Sequence, residues 1–489
     1  MIQIIWVVVL VMRLNQYSQI ITLLTVAIEL VLVLAVYSMD TNAAFKLPWI
    51  ILITVAPIVG ICVFFLFGRS GATKKVRARY RKIDQQLFAY LNQDEQIIEE
   101  LSKKDERLAN DFKYLWKCAS SPVYKNTDVK YYGDTCDAMA AQLEDMMQAK
   151  KFIFLEYHAI EMAESFQALR KVLMAKAREG VEIRILYDDA GCIGFLNPRF
   201  IKYMESMGIQ CRVFNPIMPV LNIFMNNRDH RKITVIDGKV AYTGGYNLAD
   251  EYFNITHPYG QWKDSGIRFE GDAVQTATIL FLEMWNALRE QDVDIEKYLP
   301  VYPYKAKEQG FFALYGDSPL DKEPAGENVY MNLLRHAKKY IYFTTPYLIL
   351  SDEMTRELTG AAKRGVDVRI ITPGIPDKKT IFQVTKSYYP QLLKHGVKIY
   401  EYTPGFMHEK QCICDGEIVV VGTINLDFRS LYLHFENAAL FCGYEAVSHV
   451  KEDFDALFPI CKDMSKEPSE RTRRLRLSQL ILRLFSPLM

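Results

Sequence analysis

The chain has 489 residues, 50% of them hydrophobic, and a formal net charge of +1. That length gives room for two or three domains with ample core, and the hydrophobic content excludes a largely disordered chain. The near-zero charge argues against a general nucleic-acid binder, which carries a basic surplus.

Residues 1–12 are apolar but too short to span a bilayer, and polar residues from Arg13 cut them off. Two longer apolar runs follow, 20–37 with Glu29 as its single acid and 47–67 with no charge. Each approaches the ~20 residues a helix needs to cross the hydrocarbon core, so 1–67 reads as an anchor with two transmembrane helices. Next comes 68–82, which holds Arg69, Lys74, Lys75, Arg77, Arg79, Arg81 and Lys82 and no acid. By the positive-inside rule this side stays in the cytoplasm. The expectation is a multi-pass protein of the cell membrane whose body after residue 68 is cytosolic, with the basic stretch against an anionic membrane surface. Residues 94–110 read as a charged, exposed helix, which makes 68–111 a juxtamembrane and linker segment.

Beyond the linker the chain is written twice. AKKFIF at 149–154 recurs as AKKYIYF at 337–343, and REGVEIRIL at 178–186 recurs as KRGVDVRII at 363–371. Each copy predicts strand, amphipathic helix, Gly turn and strand, an α/β unit around a largely buried sheet. The expected division is a first half over 112–290, an inter-half linker over 291–324 and a second half over 325–462.

Each half carries one motif. The first reads His230-Arg-Lys232-x4-Asp237-Gly238, then Gly244-Gly245-x-Asn247. The second reads His408-Glu-Lys410-x4-Asp415-Gly416, then Gly422-Thr423-x-Asn425. From each histidine the offsets are +2, +7, +14 and +17 for Lys, Asp, Gly and Asn. His and Lys two apart on a strand face the same way, so imidazole and ammonium converge on one phosphate. Asp-Gly after a short strand is a hairpin signal, which gives Asp237 and Asp415 a structural task within the catalytic motif. The returning segment brings an Asn whose amide donates to a phosphate oxygen. The apolar loop 216–224 before the first motif is a candidate lip dipping into lipid. The eight histidines show no spacing suited to a metal, and neither metal nor cofactor is expected. Nine cysteines without a C-x2-C pair read as reduced thiols; Cys412 and Cys414 share one strand face without a second pair for zinc. The tail, 463–489, sets five arginines from Arg471 to Arg483 among Leu477, Leu480, Ile481 and Leu484, a basic amphipathic helix for a membrane surface.

The fragments NNRDHRKITVIDGKVAYTGGYNLADEY and FMHEKQCICDGEIVVVGTINLDFRSLYLHFENAALF resemble the two signature blocks of the phospholipase D superfamily, and more narrowly those of bacterial cardiolipin synthases. The resemblance runs over about residues 20–489, with Asn227 and Glu409 as small departures. It implies two α/β halves packed about a pseudo-two-fold axis with both histidines at one site. His230 is then the nucleophile that forms a phosphohistidine, and His408 the acid/base. Lys232, Lys410, Asn247 and Asn425 would hold the phosphate oxygens. An acidic residue downstream in each half, Asp264 and Glu436, would orient its histidine. The implied reaction joins two phosphatidylglycerols into cardiolipin and glycerol. The motifs alone leave open a hydrolytic phospholipase D or another donor or acceptor, since water and alcohols attack the same intermediate. A nuclease and a dead scaffold are disfavoured by the apolar runs and the intact motifs. Oligomeric state is open.

Overall fold

The computed structural model describes residues 18–65, 74–196, 199–216, 226–289, 292, 294–467 and 475–488. The segment 1–12 and all but the first residue of the loop 216–224 lie outside them. The first apolar run forms α1 (Ser18–Tyr37). The second, expected as one span, is broken into α2 (Ala43–Val55) and α3 (Pro57–Val63). Pro57 has no N–H to continue the ladder and forces the preceding residue out of helical geometry; Ala56 adopts φ −136° and ψ 72°. Gly60 then lies so close to α2 that a Cβ would stand 2.5 Å from the Leu52 carbonyl oxygen. Among the described residues no helix is long and apolar enough to cross a membrane. Side chains of α1 are described from residue 22 onward. Leu32, Val36, Ile53 and Phe64 bury one another, while Leu23, Val31, Val55 and Ile58 are 71%, 65%, 78% and 69% exposed.

The basic stretch continues as α4 (Lys74–Leu87), which does more than face solvent. It buries Tyr80, Ile83 and Leu87 on the body, with the Tyr80 ring stacked on Phe435 at 5.3 Å, and leaves Lys74, Lys75, Arg81 and Lys82 exposed. The expected exposed linker helix is two helices, α5 (Glu95–Lys104) and α6 (Glu106–Ala119). Asp105 separates them and caps α6 by accepting from Arg107 N at 2.9 Å. Their apolar residues Ile98, Leu101, Phe112 and Leu115 sit three apart within each helix and are buried in the core of the second half. The charged residues between them hid that stripe.

The body is a mixed α/β fold in two parts. The first sheet runs β1 (Thr127–Tyr132), β9 (Gly266–Gly271), β7 (Val240–Gly244), β6 (Lys232–Ile236), β2 (Phe152–Tyr157), β3 (Glu182–Asp188), β4 (Gln210–Phe214). The second repeats that order with β10 (Phe311–Asp317), β17 (His434–Cys442), β16 (Ile418–Gly422), β15 (Gln411–Cys414), β11 (Tyr340–Thr344), β12 (Asp367–Pro373), β13 (Lys398–Tyr402), and adds β18 (Cys461–Asp463) at its edge. Central β2 and β6 are buried at every position, as strands covered on both faces are. Helices α7 (Thr135–Met147), α8 (Glu164–Arg178) and α9 (Phe200–Ser206) belong to the first half. A core shared by both halves encloses α10 (Val274–Leu288), where Phe281 stacks on Phe154 at 4.5 Å. The second half adds α11 (Ala325–His336), α12 (Asp352–Lys363), α13 (Lys379–Lys394), α14 (Phe428–Tyr432) and α15 (Glu445–Leu457).

Two short strands change partners. β5 (Arg228–Asp229) pairs in parallel with the start of β17, and β14 (Gly405–Met407) pairs in parallel with β8 (Gln261–Lys263). Each precedes a motif histidine and docks on the opposite half. At the C-terminus, α16 (Leu477–Leu484) lies on α13, with Arg483 over the Tyr388 ring at 4.2 Å and Leu477, Leu480 and Ile481 exposed. Close by, Phe45 of α2 sets its ring edge-on to Phe428 and Tyr432 of α14, each at 5.6 Å. All nine cysteines are free.

Candidate active site

The motif hairpins are fastened at the end remote from the histidines. Asp237 and Gly238 take φ 54° and 66°, and Asp415 and Gly416 take 54° and 72°, the left-handed pairs a tight two-residue hairpin needs. The Asp237 carboxylate accepts from the backbone amides of Lys150, Lys151 and Phe152 at 2.8, 2.7 and 2.9 Å. Asp415 does the same with Lys338, Lys339 and Tyr340 at 2.8, 2.7 and 2.8 Å. Both aspartates thus tie a hairpin to the start of the adjacent strand, β2 or β11. Neither is brought to the histidines.

The partner exchange of β5 and β14 sets the other end. His230 N donates to the Phe435 carbonyl at 2.9 Å, and His408 N donates to the Lys263 carbonyl at 2.8 Å. The next residue on each facing strand is the acid. His230 Nδ1 therefore lies 2.9 and 2.8 Å from the two oxygens of Glu436, and His408 Nδ1 lies 2.5 Å from Asp264 Oδ2. The expectation that each acid serves the histidine of its own half is corrected: the pairs cross between halves. Glu436 also accepts from the hydroxyls of Thr423 and Ser430. Asp264 accepts from Ser265 N at 3.0 Å, and it reaches its histidine past Gly245, where a Cβ would stand 2.1 Å from its Oδ1.

With Nδ1 facing a carboxylate, each imidazole turns Nε2 toward a cavity of about 610 Å³, lined by His230, His408, Asn247 and Asn425. The lysines lie beneath. Lys232 Nζ donates to the His230 carbonyl at 2.6 Å; Lys410 Nζ donates to the His408 carbonyl and lies 2.8 Å from His408 Nδ1. Asn247 accepts from Ala159 N at 3.2 Å and donates to Tyr252 Oη at 2.8 Å, whereas Asn425 Oδ1 is buried without a protein partner. Burial, then the neighbouring lysines, push both histidines well below the usual imidazole range. Burial also brings Lys232 down to about 8 and Lys410 to about 7, and pushes Asp264 up to about 6. An anion between the histidines and lysines would offset the burial that lowers both ammonium groups.

Several residues escaped the motif reading. His158 Nδ1 lies 2.7 Å from the Asp229 carbonyl oxygen with its ring 5.0 Å from His230, and the His434 ring lies 5.6 Å from His230. Strand alternation could have flagged His434, two residues before Glu436 on one face; nothing local flags His158. The departures have partners. Glu409 pairs with Lys263 at 2.6 Å, the charge-reversed counterpart of Arg231 with Glu283 at 2.8 Å, and Asn227 Nδ2 donates to the Leu433 carbonyl at 2.9 Å. Ligand atoms of His230, His434 and Glu436 lie within 4.8 Å of one another, a cluster the linear spacing did not reveal. It is a ligand set for a borderline divalent ion, but Glu436 is already engaged by His230, Thr423 and Ser430.

The family model described as "Cardiolipin synthase, PLD-like domain" matches residues 143–285 and 330–458. An uncharacterized protein of Streptococcus mutans is 39% identical over 94% of this chain and 99% of its own length. A cardiolipin synthase of Halalkalibacterium halodurans is 32% identical, over 90% of this chain and 86% of its own. The crystal structure of phosphatidylserine synthase from Haemophilus influenzae, 13% identical, shares the fold with a TM-score of 0.57 over 74% of this chain and 93% of that one. Family match and relatives together cover both halves of the body: the chain belongs to the cardiolipin synthase family of phospholipase D-like proteins.

Proposed function

We propose that the protein is a phosphatidyltransferase that joins two phosphatidylglycerols into cardiolipin and glycerol. The observation that carries this reading is the pair of imidazoles at one cavity, each held at Nδ1 by a carboxylate of the opposite half. His230 Nε2 attacks the phosphorus of the first lipid, and the departing glycerol oxygen takes a proton from His408. The free hydroxyl of the second lipid then gives its proton to His408 and attacks the phosphohistidine, which releases His230 and leaves one new phosphodiester. Lys232, Lys410, Asn247 and Asn425 hold the non-bridging oxygens. Glu436 and Asp264 keep each imidazole in one tautomer and stabilise its charged form.

The site is held at a bilayer. The apolar side chains that α1, α2 and α3 expose insert into lipid, the exposed cations of α4 meet anionic headgroups, and Leu477, Leu480 and Ile481 of α16 lie in the interface. The body is then cytoplasmic, because the basic segment follows the apolar one. Purified full-length protein in detergent, given phosphatidylglycerol alone, should yield cardiolipin and glycerol. Mainly phosphatidic acid would make it a hydrolytic phospholipase instead.

A further inference from the structure

The cavity contains a cation that this chemistry leaves unused. Arg429 lies on α14, and its side chain lines the same cavity as His230, His408 and Asn425. Its Nε is buried without a hydrogen-bond partner, and among the described residues it has no ion-pair partner. The contrast with its neighbours is sharp. Lys378, also at the cavity, pairs with Asp377 at 3.0 Å. Arg228, 5% exposed, faces Asp188 at 3.5 Å and donates to the Asn215 carbonyl at 3.0 Å. Burial pulls the Arg429 pKa below its usual value; nearby Asp427, which caps Ser430 N at 2.9 Å, opposes that, and Arg228 adds to it. A guanidinium drawn partly out of water without a paired anion is costly, and its planar fork of donors fits a phosphate.

Both lipids in the proposed reaction carry a phosphodiester, but only one is attacked. The acceptor brings its own into the cavity, separated from the attacking hydroxyl by a single glycerol unit. The motif lysines and asparagines are committed to the reacting group, so the second phosphate needs another cation. Arg429 also stands on the appropriate side. The rings that flank it on α14, Phe428 and Tyr432, pack against Phe45 of α2, so this wall of the cavity adjoins the N-terminal helices through which a membrane lipid would arrive.

We propose that Arg429, with Arg228 beside it, binds the unreacting phosphodiester of the acceptor lipid and so selects a phosphorylated alcohol over glycerol or water. The inference rests on the transferase reading above, and one pair of assays separates the two. Full-length wild type and Arg429→Gln are given phosphatidylglycerol with radiolabelled glycerol, and two products are followed. Cardiolipin formation uses an acceptor with a phosphate; label entering phosphatidylglycerol uses glycerol, which has none, through the same phosphohistidine. The variant should lose cardiolipin formation by about tenfold or more while glycerol exchange stays within about twofold. Arg429→Lys, which keeps the charge but not the fork, should fall between. Equal loss of both products would assign Arg429 to the fold or the donor phosphate and overturn the subsite, as would no loss of either. Wild type that exchanges glycerol but makes no cardiolipin would overturn the reading that the protein joins two phosphatidylglycerols, and the subsite with it.

Discussion

At each catalytic imidazole, the carboxylate contact that fixes the ring also decides which nitrogen is free. Glu436 and Asp264 occupy Nδ1, so in the proposed mechanism nucleophilic attack and proton transfer both fall to Nε2. His230→Ala and His408→Ala should each lower turnover by at least about 10²–10⁴-fold while the folded protein persists; substantial activity in either would break the shared-site mechanism. The titrations set the pH range. His230, held far below the usual imidazole range by burial and the lysines, stays neutral and nucleophilic through neutral pH, which puts its acid limb of kcat/KM on the acid side of an ordinary imidazole. His408, lowered by burial and Lys410, holds the proton it gives the leaving glycerol only beside the lipid's anionic phosphate. Lysines brought down to about 7 and about 8 are charged below those values and lose that charge above them. The kcat/KM profile of the free enzyme should therefore fall as pH rises through that window, and a flat profile to pH 10 would show that the lysines keep ordinary values. In the proposed mechanism the charge at the phosphate comes from lysine, so chelation should leave turnover at saturating lipid unchanged. An activity that vanished with EDTA and returned with one divalent ion would move His230, His434 and Glu436 from a hydrogen-bonded trio to a metal centre.

Among the elements, the hairpins and the exchanged strands divide the work of placing these groups. Asp237 and Asp415 each gather three backbone amides from a neighbouring strand and sit at positive φ, so their task is register. Asp415→Ala should cost about 2–4 kcal/mol by stranding those amides and straining the turn, seen as a lower denaturation midpoint, while the enzyme that remains folded keeps its kcat. A kcat near zero in well-folded Asp415→Ala would give this residue a chemical role. The turns were legible because Asp-Gly between two short strands has a local backbone cause. The crossed acid pairs were not. They depend on β5 and β14 docking on the opposite half, and pairing with strands 206 and 144 residues away leaves no mark on local sequence. The segment 94–110 misled for the opposite reason: its charges are conspicuous, and its buried residues are only a few per helix.

Over the whole molecule, the N-terminal helices and the C-terminal tail meet on one side of the body. Phe45 packs on α14, α16 lies on α13, and both α13 and α14 border residues of the catalytic cavity. Helix α2 and the exposed apolar residues of α16 therefore lie on the side of the body that carries α13 and α14. Deleting 475–489 should reduce cardiolipin formation on anionic vesicles several-fold and spare turnover of a short-chain substrate dissolved in detergent. Equal loss in both assays would make the tail a structural brace for α13. Cysteines placed in the 470s should resist an impermeant thiol reagent added to intact cells, and labelling from outside would reverse the orientation.

The sequence by itself determined the family and the duplication. Two identical sets of offsets fixed which side chains share a strand face, because alternation is a property of the backbone, and the repeated strand–helix–strand text fixed an α/β body in two parts. Hydropathy also marked the apolar N-terminal runs, but not the break at Ala56–Pro57, where proline outweighs a continuous apolar pattern. Only the tertiary structure decided which acid serves which histidine, gathered His158, His434 and Arg429 around His230, and paired the buried charges of Arg231 with Glu283 and of Glu409 with Lys263. Those relations join segments distant in the chain. What governs them is the cost of leaving a charge or polar group buried without a partner, and that cost is set when two surfaces close.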